Sequence, residues 1–120
     1  MNIHIIEGNS PIADVTGDGI IVNNAQDALD IIANCVYQGC SNFIWYEENL
    51  SPDFFDLKTR LAGDILQKFS NYRCRLAIVG SFEKYNSKSL RDFIYESNKG
   101  KQIGFVKTRE EAIVKLSNQT

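Results

Sequence analysis

The sequence lacks the residue clusters that are typical of metal and redox sites. It has one histidine and only three cysteines, Cys35, Cys40 and Cys74, in 120 residues, and no CxxC spacing. Zinc sites and disulfide frameworks depend on such spacings, so we expect three buried, reduced thiols instead. The sequence therefore predicts neither a metal site nor a bound cofactor.

A long apolar run and an excess of charge of one sign are also missing. No segment approaches the roughly 18 apolar residues needed to span a bilayer, and the first residues lack the charged start and apolar core of a signal peptide. We therefore expect a cytoplasmic protein with no membrane partner. Thirteen basic and fifteen acidic side chains give a formal charge of -2. This balance argues against nucleic acid as a partner.

The residues that are present are those of an ordinary globular domain. Hydrophobic residues make up 43% of the chain and charged residues 23%, values that suggest neither a disordered chain nor a fibrous repeat. A length of 120 residues fits one domain with its own core. No linker, repeat or low-complexity tract divides the chain, so we predict a single domain over residues 1–120.

Strand-like and helix-like segments alternate along the chain. Two short strand-like runs, separated by the turn residues Gly8-Asn9-Ser10-Pro11, predict an N-terminal β-hairpin. Asn24 can cap the first helix, Gly39 can end it, and Thr108-Arg109-Glu110-Glu111 forms a capping box for the last. Residues 20–22 could be a short third strand or the extended approach to the first helix. The element order predicts an α/β fold with a mixed, mostly parallel sheet.

The segment from Phe43 to Leu57 runs from an apolar strand through an acidic, proline-containing loop into an amphipathic helix. In open parallel sheets, ligands bind in the crevice beyond the carboxyl ends of the strands. The polar residues expected there are Glu47, Glu48, Asn49, Ser51, Asp53, Ser81, Lys84, Tyr85, Ser87 and Thr108.

Helix capping explains most of these polar residues without any chemistry. Ser87 and Thr108 suit N-caps, while Asp53 and Asp56 suit a helix start, where negative charge is favourable. Together with Glu48, the two aspartates could offer oxygen ligands to a hard cation, but the regular spacing of a calcium loop is missing. The helix-start interpretation is preferred, and we predict no catalytic residues.

Two family resemblances add to this interpretation. The element order, with Phe54-Phe55-Asp56 between an aromatic strand and an amphipathic helix, resembles the STAS domain of bacterial anti-sigma-factor antagonists. The runs Ala25 to Asp30, Pro52 to Thr59 and Leu90 to Gly100 are similar to a bacterial domain-of-unknown-function family, DUF4180. The first resemblance implies a STAS-like fold and a regulatory, protein-interacting role. The second implies a fold and no activity.

The STAS resemblance does not extend to the phosphorylation switch of the antagonists. There, an Asp followed by serines at the start of the second helix carries a phosphorylatable serine. Here Leu57 and Lys58 follow Asp56, and Thr59 is displaced into the first turn. What the resemblance still implies is the use of this helix start and the preceding loop for docking.

Two functions from different classes follow. The first is a non-catalytic regulatory or protein-interaction module that binds an unknown protein partner through residues 51–59. Its predicted docking surface comprises Asp53, Phe54, Asp56, Lys58, Thr59, Lys84 and Tyr85, with Phe54-Phe55 as an exposed aromatic anchor. The second is a small-molecule binder or weak enzyme that uses the strand-end crevice. A homodimer is compatible with both, and the sequence favours the non-enzymatic function.

Overall fold

A mixed sheet forms the centre of the computed structural model, which describes residues 1–117. Five strands lie in chain order within this range: β1 (Asn2–Ile6), β2 (Ile12–Thr16), β3 (Asn42–Tyr46), β4 (Arg75–Val79) and β5 (Ile103–Val106). β1 pairs with β2 in antiparallel orientation, and every later pair is parallel. The predicted α/β fold, with its N-terminal hairpin and mostly parallel sheet, is confirmed.

Helices cover both faces of the sheet. They are α1 (Ala25–Tyr37), α2 (Leu61–Asn71), α3 (Lys88–Lys99) and α4 (Arg109–Ser117), and three 3-10 turns lie at Glu47–Asn49, Pro52–Phe55 and Leu57–Thr59. α1, α2 and α3 pack on the same face of the sheet, whereas α4 packs on the other. The first three share a face because each connects one parallel strand to the next in the same direction across the sheet, and such crossovers are right-handed. Within residues 1–117, no helix combines the length and apolarity required to cross a membrane.

The central strands are buried on both sides. Phe43 and Trp45 of β3 belong to the core beneath α1, α2 and α3, while Ile44 lies between them and faces α4. The ring of Trp45 meets that of Phe69 edge to face, with 5.0 Å between centroids. Burial on both faces explains why this strand is an uninterrupted apolar run in the sequence.

The predicted caps of the first and last helices are present. The side chain of Asn24 accepts a hydrogen bond from the Asp27 N–H at 2.8 Å. Thr108 and Glu111 form a reciprocal capping box, in which each side chain accepts the other's backbone N–H at 3.1 Å. Gly39 follows α1 with a φ of 93°, a conformation that favours glycine. These local patterns set the helix bounds as expected.

Residues 20–22 form a single bridge instead of a strand. Val22 pairs with Leu50 as an isolated parallel bridge, and its carbonyl accepts the Ser51 N–H at 3.0 Å. Asn49 supports the same loop, because its side-chain amide donates to the carbonyls of Gly17 at 2.9 Å and Gly19 at 2.8 Å. The connection between β2 and α1 is thereby fixed to the loop after β3.

The second helix begins later than the sequence suggests. Ser51 caps the 3-10 turn at Pro52–Phe55, and Asp56 caps the one at Leu57–Thr59. α2 starts only at Leu61. Between them Arg60 takes a left-handed conformation, with a φ of 65°. The expectation that Asp56 stands at the start of the main helix is wrong, because its carboxylate is already used by the turn at Leu57–Thr59.

Arg75, at the start of β4, ties the end of α4 to the sheet. Its Nη1 and Nη2 donate to the carbonyls of Leu116 at 2.9 Å and Lys115 at 3.0 Å, and its Nε donates to that of Lys101 at 2.7 Å. Carbonyls in the last turn of a helix need partners from outside the helix, and a cation is favourable there. The guanidinium is therefore a C-terminal cap for α4.

Candidate functional site

Glu47 lies at the carboxyl end of β3 and binds three groups from the loop after β4. Its Oε1 accepts the Ser81 N–H at 3.1 Å. Its Oε2 lies 2.8 Å from the Lys84 Nζ and also accepts a hydrogen bond from the Tyr85 hydroxyl. The Glu47 side chain is 12% exposed. We call Glu47, Ser81, Lys84 and Tyr85 the Glu47 cluster.

Gly80 provides the space that the Glu47 side chain occupies. A Cβ at this position would lie 2.6 Å from both the Cβ and the Oε1 of Glu47, and 3.0 Å from the Cζ of Phe82. Real Cβ atoms are almost never found closer than 3.0 Å to another heavy atom, as the two contacts with Glu47 would require. Because Tyr46 and Val79 are paired in register, Glu47 and Gly80 leave neighbouring strands at the same level. The sequence places Glu47 at the strand-end crevice, but its contact with Gly80 follows only from the pairing of β3 with β4.

Hydrogen bonding decides the charge of the Glu47 cluster. Burial by itself would raise the pKa of Glu47, but the Lys84 ammonium, the Tyr85 hydroxyl and the Ser81 N–H outweigh it and hold the pKa below its ordinary value. Burial, followed by the hydrogen bond to Glu47, raises the pKa of Tyr85. At neutral pH the cluster therefore contains a carboxylate that accepts a hydrogen bond from a neutral phenol.

The lowered pKa predicts that the stabilising effect of Glu47 depends on pH. The carboxylate contributes fully above its ordinary pKa of 4.5, and this contribution is lost as the pH falls through the lower folded value. We expect the difference in unfolding free energy between the wild type and Glu47→Gln to be largest at neutral pH and to shrink in acid. Urea denaturation of both proteins across this range measures it. A difference that does not change with pH would contradict the assignment.

The predicted docking residues lie on two loops that touch each other. The rings of Phe55 and Tyr85 are stacked, with centroids 5.1 Å apart and planes inclined by 16°. This contact places the turns of residues 52–59 beside the loop that carries Lys84. Between the loops lies a groove of about 260 Å³, lined by Ile20, Glu47, Glu48, Leu50, Pro52, Phe55, Lys84 and Tyr85.

The expectation of an exposed aromatic anchor is wrong. Phe54 is 1% exposed and Phe55 is 6% exposed, and their rings pack edge to face at 5.0 Å within the main core. Burial of a phenylalanine side chain stabilises the folded state by about 1.5–3 kcal/mol. An aromatic anchor exposed to water would not make this contribution. Asp53, Asp56 and Lys58 remain on the outside of the same segment.

Thr59 holds the two 3-10 turns together. Its Oγ1 bonds to the carbonyl oxygens of Asp53 at 2.6 Å and Asp56 at 2.8 Å, and accepts the Leu61 N–H at 3.2 Å. The Asp56 carboxylate in turn accepts the Lys58 N–H at 3.2 Å. The conformation of this exposed segment is thus fixed by bonds within it.

A second polar cluster, formed by Asp14 of β2, Tyr46 of β3 and Arg109 of α4, lies on the other face of the sheet. Arg109 donates from Nε to the Oδ2 of Asp14 at 2.7 Å, and the Tyr46 hydroxyl donates to Oδ1 at 2.9 Å. The Asp14 side chain is 8% exposed. Burial and the hydrogen bond to Asp14 raise the pKa of Tyr46 to about 12. No local pattern could have predicted this cluster, because Asp14 and Arg109 are 95 positions apart.

Comparison with known proteins shows which family the chain belongs to. Residues 7–116 match the family described as "Domain of unknown function (DUF4180)". The chain belongs to this family. The DUF4180 resemblance predicted from the sequence is therefore confirmed. No curated protein matches the chain.

Among solved structures, the DUF4180 domain is similar to one described as the Bacillus cell fate determinant SpoIIAA in the phosphorylated form. The two chains are 16% identical, with a TM-score of 0.45, and the match covers 96% of this chain and 97% of the other.

The DUF4180 domain offers few groups for metal or thiol chemistry. Among residues 1–117, no three His, Cys, Asp or Glu side chains are grouped so that they could hold a metal ion. Cys35, Cys40 and Cys74 are buried and unpaired by disulfides. Burial, followed by the neighbouring cysteines, raises the pKa of Cys35 to about 11, which makes its thiol a poor nucleophile.

Proposed function

We propose that this DUF4180 domain is a non-catalytic regulatory or protein-interaction module. It docks a protein partner through residues 51–59 and the adjoining loop of Lys84. The observation that carries the proposal is the rigid, exposed presentation of Asp53, Asp56 and Lys58 on turns held by Thr59. A surface segment whose conformation is held by its own hydrogen bonds loses less conformational entropy when a partner binds.

The hydrogen bonds already made by the polar groups near the docking surface favour docking over catalysis. Glu47 and Tyr85 satisfy each other, and the Thr59 hydroxyl is bonded within its own segment. A general base or nucleophile must instead reach a substrate with its reactive atom. The exposed charges of Asp53 and Lys58 can contact a partner without breaking any of these bonds.

The buried, reduced thiols support a cytoplasmic location as part of the same proposal. Disulfides form in oxidising compartments, whereas thiols persist in the reducing cytoplasm. Cys35, Cys40 and Cys74 are all buried and free.

Charge reversal at Asp53 tests the docking surface. No hydrogen bond or ion pair to the Asp53 carboxylate is formed within residues 1–117, so Asp53→Lys should fold normally. We expect this variant to lose a partner that the wild type recovers from a lysate of the native host, by about tenfold or more in quantitative mass spectrometry. Light scattering of the recovered complex determines whether the partner is a second copy of the chain.

Glu110→Lys is the matched control for this experiment. It makes the same charge change at an exposed position at the start of α4, on the opposite face of the sheet. We expect it to retain every partner. Asp56→Asn removes a second charge while keeping an oxygen for the Lys58 N–H. If both Asp53→Lys and Asp56→Asn recover the same partners as the wild type, the docking proposal is wrong.

A second candidate function is small-molecule binding in the groove beside the Glu47 cluster. It is supported by the volume of about 260 Å³ and by Lys84, whose side chain is 60% exposed at the groove. A thermal-shift screen against metabolites and divalent metals tests this candidate. Stabilisation by a ligand that disappears in Lys84→Ala would support it, and no stabilisation in the screen would leave docking as the preferred function.

A further inference from the structure

A second groove, of about 300 Å³, lies between α3 and the carboxyl end of β5. Its apolar lining includes Phe82, Ile94 and Phe105, and the rings of Phe82 and Phe105 meet edge to face at 5.2 Å. Phe105 is 6% exposed, whereas Tyr95, also in the lining, is 64% exposed. Small-ligand pockets commonly have volumes of about 300–1,000 Å³ and linings of this apolar, aromatic kind.

The charged residues of this groove carry a net positive charge. They are Arg91, Lys107 and Glu83. Arg91 is held in place because its Nη1 donates to the carbonyls of Asn86 at 3.2 Å and Tyr85 at 3.5 Å. Both bonds use one nitrogen, so further N–H donors of the guanidinium are left for an anion.

The ion pair at the groove can yield to a ligand. Lys107 Nζ lies 3.2 Å from Glu83 Oε1, and the two side chains are 73% and 72% exposed. Exposed pairs of this kind add little stability. Lys107 can therefore turn toward a bound carboxylate at small cost.

Asn98 closes the edge of the sheet at this point. Its Oδ1 accepts the Phe105 N–H at 2.7 Å, and its Nδ2 donates to the Phe105 carbonyl at 3.2 Å. An extended peptide that added to β5 would need these same backbone groups. The groove is therefore better suited to a small molecule than to a peptide strand.

We propose that this groove binds a small aromatic carboxylate. The ring lies against Phe82 and Phe105 beside Tyr95, and the carboxylate is bound by Arg91 with Lys107 nearby. Arginine recognises carboxylates through paired N–H donors, and aromatic side chains favour edge-to-face or offset contacts with a ligand ring. This site adjoins the proposed docking surface at the loop after β4, but its proposed function does not depend on docking.

Titration with naphthaleneacetate, followed by ¹H–¹⁵N NMR spectra of the full chain, tests the proposal. We expect saturable shifts at the backbone amides of Ile94, Asn98 and Lys107. The neutral amide of the same compound, naphthaleneacetamide, has the same ring system but no charge. It should bind more weakly by about tenfold, as expected when a charged hydrogen bond is lost.

Three variants locate the binding site. Tyr95→Ala removes an exposed ring, and Arg91→Gln removes the charge, so both should weaken binding of naphthaleneacetate by about tenfold. Lys88→Gln is the control, because it removes a cation from the same helix outside the groove. The proposal is overturned if naphthaleneacetate gives no saturable shifts up to millimolar concentration or if the amide binds equally well. It is also overturned if neither Tyr95→Ala nor Arg91→Gln weakens binding.

Discussion

Replacing Asp14 by alanine is expected to lower the free energy of unfolding by about 2–3 kcal/mol, because a buried acceptor of two hydrogen bonds is removed. The Tyr46 hydroxyl would lose its partner, and the Arg109 guanidinium would lose the charge that fixes the start of α4. Since Arg109 is 40% exposed, water replaces part of its lost interaction, and the cost stays below that of breaking a fully buried pair. Urea denaturation monitored by far-UV circular dichroism measures the change.

Tyr46→Phe and Asp14→Asn separate the contributions to this cluster. The first removes only the hydroxyl and should cost about 1 kcal/mol. The second keeps an oxygen that can accept from Tyr46 but loses the charge opposite Arg109, so its cost should lie between those of the other two variants. A double-mutant cycle of Asp14→Ala with Tyr46→Phe should reveal a favourable coupling energy. An Asp14→Ala protein as stable as the wild type would show that the cluster does not hold α4.

Replacing Glu47 by alanine is the second large effect that we expect. Removal of this carboxylate leaves the Ser81 N–H and the Tyr85 hydroxyl without their acceptor, at a cost of about 2–3 kcal/mol. The loop after β4 should also become more dynamic, because Glu47 is its link to β3. Hydrogen exchange of the Ser81 amide, compared between variant and wild type, gives a local measure of this change.

The partners of Glu47 provide graded controls. Tyr85→Phe removes one hydrogen bond and should cost about 1 kcal/mol. Lys84→Ala removes a side chain that is 60% exposed, so it should change stability by less than about 1 kcal/mol. Glu47→Ala must therefore be the most destabilising of the three. If Lys84→Ala costs as much, the ion pair and not the buried hydrogen bonding stabilises the cluster.

Features that depend on nearby residues could be predicted from the sequence. The Asn24 cap and the Thr108–Glu111 capping box join residues three positions apart, so their spacing is visible in the chain. The alternation of apolar segments with capped helices predicts the parallel part of the sheet, and the turn residues between the first two strand-like runs predict its N-terminal hairpin. Local patterns do not reveal the left-handed Arg60. They assign the cap of Asp56 to α2, whereas Asp56 caps the 3-10 turn before Arg60 and α2 begins after it.

The candidate site was harder to predict because it depends on side chains brought together by the fold. Glu47 and Tyr85 are 38 positions apart, and their bond depends on which strands are neighbours. The acidic neighbours Asp53 and Asp56 favour an exposed Phe54-Phe55 pair, yet packing in the core decides the position of both rings. Periodicity has little meaning in turns of three or four residues, so it could not assign an inward side to this pair.

The order of the strands has a kinetic consequence. Each strand from β2 to β5 joins the one that precedes it in the chain, so the sheet can grow in the order of synthesis without leaving a gap for a later strand. The contacts of Arg75 with Leu116 and of Asp14 with Arg109, which span 41 and 95 positions, form only when α4 arrives. Until then Ile44 and Ala77 lie on an open face. A chain truncated before α4 should therefore expose an apolar face of the sheet, to which chaperones or other copies of the chain can bind.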